Sequence, residues 1–128
     1  ADEISQKKVA VTDDHKLHIF NMFRSGSADV RPEYRDLLFK IAAELQKENT
    51  RILIVGHTDS QRLRFSTHFE SNWHLSLARA ESAANMLREH GLPGSGMRFE
   101  GMADKEPIAP NNTKANRALN RRIDILFR

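Results

Sequence analysis

Residues 52–80 read ILIVGHTDSQRLRFSTHFESNWHLSLARA. The first four, Ile52-Leu53-Ile54-Val55, form an unbroken apolar run of strand length, the pattern of a central strand covered on both faces. Gly56-His57-Thr58-Asp59-Ser60 then leaves that strand as a short polar turn. From Asn72, a residue suited to cap a helix, Trp73, Leu77, Ala80, Ala84 and Leu87 recur at helical spacing and predict one buried stripe. If this strand and helix pack as neighbours, a carboxylate at the strand end, Asp59, and a guanidinium on the helix, Arg79, face one pocket. Such a pair suits a zwitterion, because the carboxylate accepts from an ammonium group while the planar guanidinium fork grips a carboxylate.

Each of the two residues also has an ordinary structural role. Asp59 follows a strand through Thr58, where aspartate commonly ties down a turn by accepting from nearby backbone amides; its carboxylate is expected to emerge at the sheet edge rather than inside the core. Arg79 lies about 100° around the helix from Ala80, at the flank of the stripe, where a half-buried arginine covers apolar surface with its stem. The connection 56–71 is longer than most in compact domains, and Leu63, Phe65 and Phe69 make it unusually apolar, so it either packs back on the sheet or presents a partner surface.

Outward from this stretch, strands and helices alternate. Val9 and Val11, a turn at Asp13-Asp14-His15, then Leu17 and Ile19 predict an opening hairpin within residues 1–22. Phe23 to Ala28 has loop composition. Pro32 opens a helix with Glu33 in its first turn, and Tyr34, Leu37, Leu38, Ile41, Ala42 and Leu45 set its apolar stripe. Gly91 to Gly96 ends the second helix, Met97, Phe99 and Gly101 form a strand that runs into a turn, Glu106 to Asn112 is loop, and Thr113 to Asn120 a short helix. Ile123, Ile125 and Phe127 alternate with Asp124 and Leu126 in a closing strand. The fold class is therefore α+β: a two-layer sandwich, a mixed β-sheet with two main helices on one face.

A chain of 128 residues with 39% apolar and 29% charged residues is one soluble globular domain, with no run long enough to span a membrane. Its start, ADEISQKK, is not a leader, and an excised fragment is favoured over a mature product. The absence of cysteine removes disulfides and thiolate metal sites. A net charge of +3 favours an anionic partner, but the basic residues are scattered and lack the aromatic interleaving of a nucleic-acid surface, so no nucleic acid is expected.

GHTDS followed by SNWHLSLARA resembles the signature of OmpA/MotB-like C-terminal domains, and the similarity runs from about Phe23 to Phe127, the family core within a single 1–128 domain. The resemblance implies a βαβαββ order, with the last strand inserted between the first and second, and non-covalent binding of peptidoglycan without catalysis or cofactor. It implies that Asp59 binds the amine and Arg79 the carboxylate of meso-diaminopimelate in the stem peptide, with Thr58, Asn72 and one of Arg121 or Arg122 assisting. It implies a periplasmic domain of a Gram-negative cell-envelope protein, anchored in the inner membrane outside this fragment, with protein partners in a larger machine and a possible homodimer. Two departures from the outer-membrane pattern stand out: Arg24 where those members often carry aspartate, and the extended connection after Asp59 with Arg62, Leu63, Arg64 and Phe65. Together with FRSGSADVRPE they look more like inner-membrane-anchored members, MotB-like stators or DotU-like anchors of type VI secretion, and the LRF element leans toward secretion.

The rival reading is a zinc hydrolase. His57, Asp59, His68 and His74 lie within one short stretch, and imidazole with carboxylate suits zinc. Their spacing matches no compact metal motif, and no G-x-S-x-G elbow places a serine nucleophile. The favoured reading has no metal.

Overall fold

The computed structural model describes residues 9–12, 15–24, 26–47, 51–61 and 69–128. Strands β1 (Val9–Thr12) and β2 (Lys16–Phe20) form the opening hairpin, in register Val9 with Ile19 and Val11 with Leu17. A 3-10 turn at Pro32–Tyr34 leads into helix α1 (Arg35–Gln46). Strand β3 (Ile52–His57), helix α2 (Asn72–Glu89), strand β4 (Met97–Gly101), the short helix α3 (Lys114–Asn120) and strand β5 (Arg122–Phe127) follow. The sheet order is β1-β2-β5-β3-β4. Only β3 and β4 are parallel, so the sheet is mixed, as the alternation of elements requires.

The last strand lies between β2 and β3. Counted along the whole chain these are the second and third strands, because β1 and β2 pair directly; counted from β2, the strand that precedes the first helix, they are the first and second, as the resemblance implies. Periodicity cannot show this order, because pairing partners are chosen by contacts distant in sequence.

Side-chain alternation sorts the sheet into two faces. Ile19, Ile52, Ile54, Ile123 and Ile125 join Tyr34, Leu38, Ile41, Ala42 and Leu45 of the first helical segment and Ala80, Ala83, Ala84 and Leu87 of α2 in a single core. The Tyr34 hydroxyl donates to the Phe20 carbonyl, which ties the start of the helical segment to the end of β2. Burial raises its pKa.

Two expectations for α2 are corrected. Ser71, not Asn72, caps the helix: its hydroxyl accepts from the backbone N–H of His74 at 3.2 Å, and Asn72 is the first helical residue. The buried stripe runs through Leu75, Ser76, Arg79, Ala80, Ala83, Ala84 and Leu87, with Trp73 46% exposed. The cause is a close approach of helix to sheet. A Cβ on Gly56 would stand 2.0 Å from the Ser76 carbonyl oxygen, and one on Gly101 2.5 Å from the Ser76 hydroxyl. Only small residues fit at that contact, so the helix turns its small face inward and carries the indole out.

Candidate functional site

A cleft of about 320 Å³ opens where β2 and β3 end and β5 begins. Four segments line it: residues 19, 21–23, 26 and 31 at and after the end of β2, residues 57–59 and 61 leaving β3, the first two turns of α2, and 121–123 entering β5. Asp59, Thr58, Asn72, Arg79, Arg121 and Arg122, the six residues singled out from the sequence, all belong to this lining.

Asp59 is only 6% exposed, so its carboxylate reaches the cleft at the end of β3 without projecting into open solvent. The turn after β3 is tied down on two sides. The Thr58 N–H donates to the Ala103 carbonyl at 2.8 Å, continuing the contact with the β4 side, and the Asn72 amide donates to the Gln61 carbonyl at 2.9 Å. The Thr58 hydroxyl donates to the Asp59 carbonyl at 2.8 Å. Within this turn the Asp59 carboxylate does two things at once: Oδ1 accepts from the Gln61 N–H at 2.9 Å, the ordinary turn-capping role, and Oδ2 accepts from Arg121 Nη1 at 2.6 Å.

Arg79 is 5% exposed, more deeply buried than a flank position predicts. The reason is the loop after β2, which is pinched by a bridge between Phe23 and Val30 and folds over the guanidinium. Arg79 Nε donates to the Ser27 carbonyl at 2.8 Å and Nη2 to the Arg24 carbonyl at 3.0 Å, and the group lies over the Phe23 ring at 5.2 Å. Arg24 thus enters through its backbone rather than its side chain. Burial, then repulsion from Arg121, lowers the Arg79 pKa to about 10, with Asp59 opposing them, so the group remains a cation at neutral pH. Nη1 makes no hydrogen bond to the protein among the described residues.

The adjacent arginines differ. Arg121, with a side chain 38% exposed, ends α3 and faces Asp59 across the cleft. Arg122 starts β5, is buried, and is held by Asp124 at 3.0 Å from Nε and by the Glu106 carbonyl at 3.0 Å from Nη2. What sets this pair is Asn120, which is fully buried: its amide oxygen accepts from the N–H groups of Ile108 and Ala109, and its nitrogen donates to the Ala109 carbonyl and to Asn111 Oδ1. Asn111 Oδ1 also accepts from the Ser60 N–H at 3.3 Å, joining the loop before α3 to the turn that carries Asp59.

A second set of charges escaped the sequence reading. The alternation of β5 puts Asp124 on the face opposite Ile123 and Ile125, yet it is 2% exposed and receives three donors: His18 Nδ1 at 2.6 Å, Arg122 Nε at 3.0 Å and His57 Nε2 at 3.1 Å. Burial alone would raise its pKa. The His57 hydrogen bond, the charge of Arg122 and the His18 hydrogen bond outweigh that and hold it at about 2. The only hint in the sequence is a carboxylate inside an otherwise apolar strand, Ile123-Asp124-Ile125-Leu126-Phe127.

The histidines of the zinc reading do not converge. His57 is turned to Asp124, His74 sits on Ser71 at the start of α2, and His68 lies outside the described residues, as do Arg62, Leu63, Arg64 and Phe65. Among the described residues no three His, Asp or Glu side chains group as metal ligands would.

Comparison with known proteins places these features in a family. A profile described as the OmpA family matches residues 22–121. A flagellar export/assembly protein of Escherichia coli O44:H18 named LafU is 35% identical over 93% of this chain and 37% of its own length. Motility protein B of Escherichia coli K12 is 40% identical over 82% of this chain and 34% of its own length. The solved structure of the cell wall anchor of the type VI secretion system of Pseudomonas aeruginosa superposes with a TM-score of 0.86 at 36% identity, covering 96% of this chain and 89% of that one. The chain spans about a third to a half of the length of the curated relatives it matches. None of these relatives is named as an enzyme.

Proposed function

Because the chain belongs to the OmpA family, we propose that it binds peptidoglycan non-covalently through the meso-diaminopimelate of the stem peptide and so ties a membrane-bound machine to the cell wall. The observation that supports this most is the cleft itself, which sets a buried carboxylate, Asp59, among fixed guanidinium groups. An ammonium group takes the remaining lone pairs of Asp59, and the adjacent carboxylate meets Arg79 Nη1, with Arg121 bridging to Asp59. No bond is made or broken. Among the described residues no helix is long and apolar enough to cross a membrane, and the proposal places this region in the periplasm with its anchor in another segment.

Of the two machines, a type VI secretion system is favoured by the likeness to the Pseudomonas anchor across nearly all of this chain. A flagellar stator is the second reading, favoured by the 40% identity to Motility protein B. Restoring secretion or swimming to strains lacking the corresponding anchor separates the two.

The binding proposal is tested by pulldown on insoluble wall sacculi. Asp59→Ala and Arg79→Gln are each expected to lower affinity about ten- to a hundredfold, since a hydrogen bond to a charged partner contributes about 1.5–3 kcal/mol. Wild-type retention by both variants, with folding checked by circular dichroism, would overturn it.

A further inference from the structure

Among the described residues, three buried side-chain atoms lack a hydrogen-bond partner: Arg31 Nε, His57 Nδ1 and Arg122 Nη1. All three residues line the same cleft. Buried polar groups are nearly always satisfied, so a cleft that gathers the exceptions is short of ligand atoms rather than of protein atoms. Two of the three are guanidinium N–H groups, which can only donate.

The charges agree. Four arginines, Arg31, Arg79, Arg121 and Arg122, line the cleft against Asp59, with Asp124 behind Arg122. Four cations less these two carboxylates leave an excess of two positive charges. A diaminopimelate terminus carries one ammonium and one carboxylate and neutralises none of that excess.

Among the described residues, Arg31 is the cleft arginine whose side chain has neither an ion-pair nor a hydrogen-bond partner. Arg79 has two loop carbonyls, Arg121 has Asp59, and Arg122 has Asp124 and the Glu106 carbonyl. The Arg31 side chain has no acceptor among the described residues, while its backbone is fixed: its N–H donates to the Met22 carbonyl at 2.8 Å, and its extended φ of −61° and ψ of 135° is what a following proline favours. The side chain is therefore carried into the cleft on a rigid base with its donors unused.

We propose that Arg31 forms a second anion subsite, which takes a further carboxylate of the bound stem peptide beyond the diaminopimelate terminus. This rests on the stem-binding reading of the cleft. Two carboxylates of a stem meet the requirement: the α-carboxylate of the γ-linked glutamate that precedes diaminopimelate, and the carboxylate at the chain end. Neutralising the correct one removes the partner of Arg31 and nothing else.

The test titrates wild type, Arg31→Gln and Arg31→Lys with four synthetic stem tripeptides: the free acid, the form amidated at glutamate, the form amidated at the chain end, and the free acid with lysine in place of diaminopimelate. One amidation is expected to weaken wild-type binding at least about tenfold, and which of the two does so identifies the carboxylate. Arg31→Gln is expected to bind the free acid as weakly as wild type binds that amide, to be indifferent to amidation, and to keep the wild-type preference for diaminopimelate over lysine. Arg31→Lys keeps the charge and is expected to restore part of the loss. Equal binding of the free acid by wild type and Arg31→Gln, or an amidation penalty unchanged in Arg31→Gln, would overturn the subsite while leaving stem binding intact. Failure of wild type to bind any of the four peptides would overturn both.

Discussion

Two of the three guanidinium nitrogens of Arg79 are bound to the carbonyls of Ser27 and Arg24, so the position of Nη1 depends on the loop that closes over it. That makes Arg79 a preorganised donor to one carboxylate, and it predicts which wall is recognised. Lysine-type stems present an ammonium to Asp59 but no anion to Arg79. They are expected to bind the wild type about 1.5–3 kcal/mol more weakly than diaminopimelate stems, and Arg79→Gln should erase most of that difference. Calorimetric titration of both proteins with both stems checks it, and equal wild-type affinities would remove Arg79 from the site. Asp124 carries a different prediction. Its folded pKa of about 2 lies below the ordinary carboxylate value near 3.8, so the stabilisation is fully present above about pH 4 and is lost as pH falls from there toward 2. The loss is of order 2 kcal/mol. Urea midpoints measured across this window should fall in the wild type and flatten in Asp124→Asn; parallel slopes would exclude Asp124 as the titrating group. The place of Asp59 and Arg79 on one cleft was legible because a motif marks both residues and the strand and helix that carry them are neighbours in sequence. Asp124 was not, because strand alternation records which face a residue takes, and burial on that face depends on loops and partners remote in sequence.

At the level of elements, helix and strand positions followed from apolar spacing, whereas the rotation of α2 did not. Trp73 fits the helical stripe by hydropathy and is half exposed, while Ser76 fits it poorly and is fully buried. Hydropathy ranks transfer into an apolar interior; the contact of α2 with the sheet is decided by how close two backbones come. Ser76 meets that demand with a small side chain whose hydroxyl donates to the Trp73 carbonyl at 2.9 Å and accepts from the Ala103 N–H at 3.1 Å. Gly56 is the matching seat on β3. A methyl there meets backbone, which cannot rotate away, so Gly56→Ala is expected to destabilise the fold by about 3 kcal/mol. It should also weaken stem binding, because Arg79 lies one turn beyond Ser76. Thermal denaturation paired with sacculus pulldown tests both, and a wild-type melting temperature would contradict the close approach.

The cleft belongs to no single element. Its lining joins the exits of β2 and β3, the start of α2 and the entry to β5, segments far apart in the chain and held in place by one shared core and by Asn120, which clamps the loop before α3. A ligand gripped across all of them binds only the folded molecule, so binding should appear as global stabilisation. For one site, a hundredfold excess over the dissociation constant adds about 2.7 kcal/mol. For a chain of this length each kcal/mol moves the melting temperature by about 3–5 °C, which gives an expected rise of roughly 8–13 °C with diaminopimelate stem peptide. Asp59→Ala should show at most about half of that rise at the same peptide concentration, because a tenfold lower affinity leaves about 1.4 kcal/mol of linkage and a hundredfold lower affinity about 0.4 kcal/mol. Scanning fluorimetry at several peptide concentrations measures the dependence directly. A melting temperature that does not move with peptide, for a wild type that is folded and retained on sacculi, would mean that the wall is held through another part of its structure, and the stem cleft would lose its assignment while membership of the family would stand.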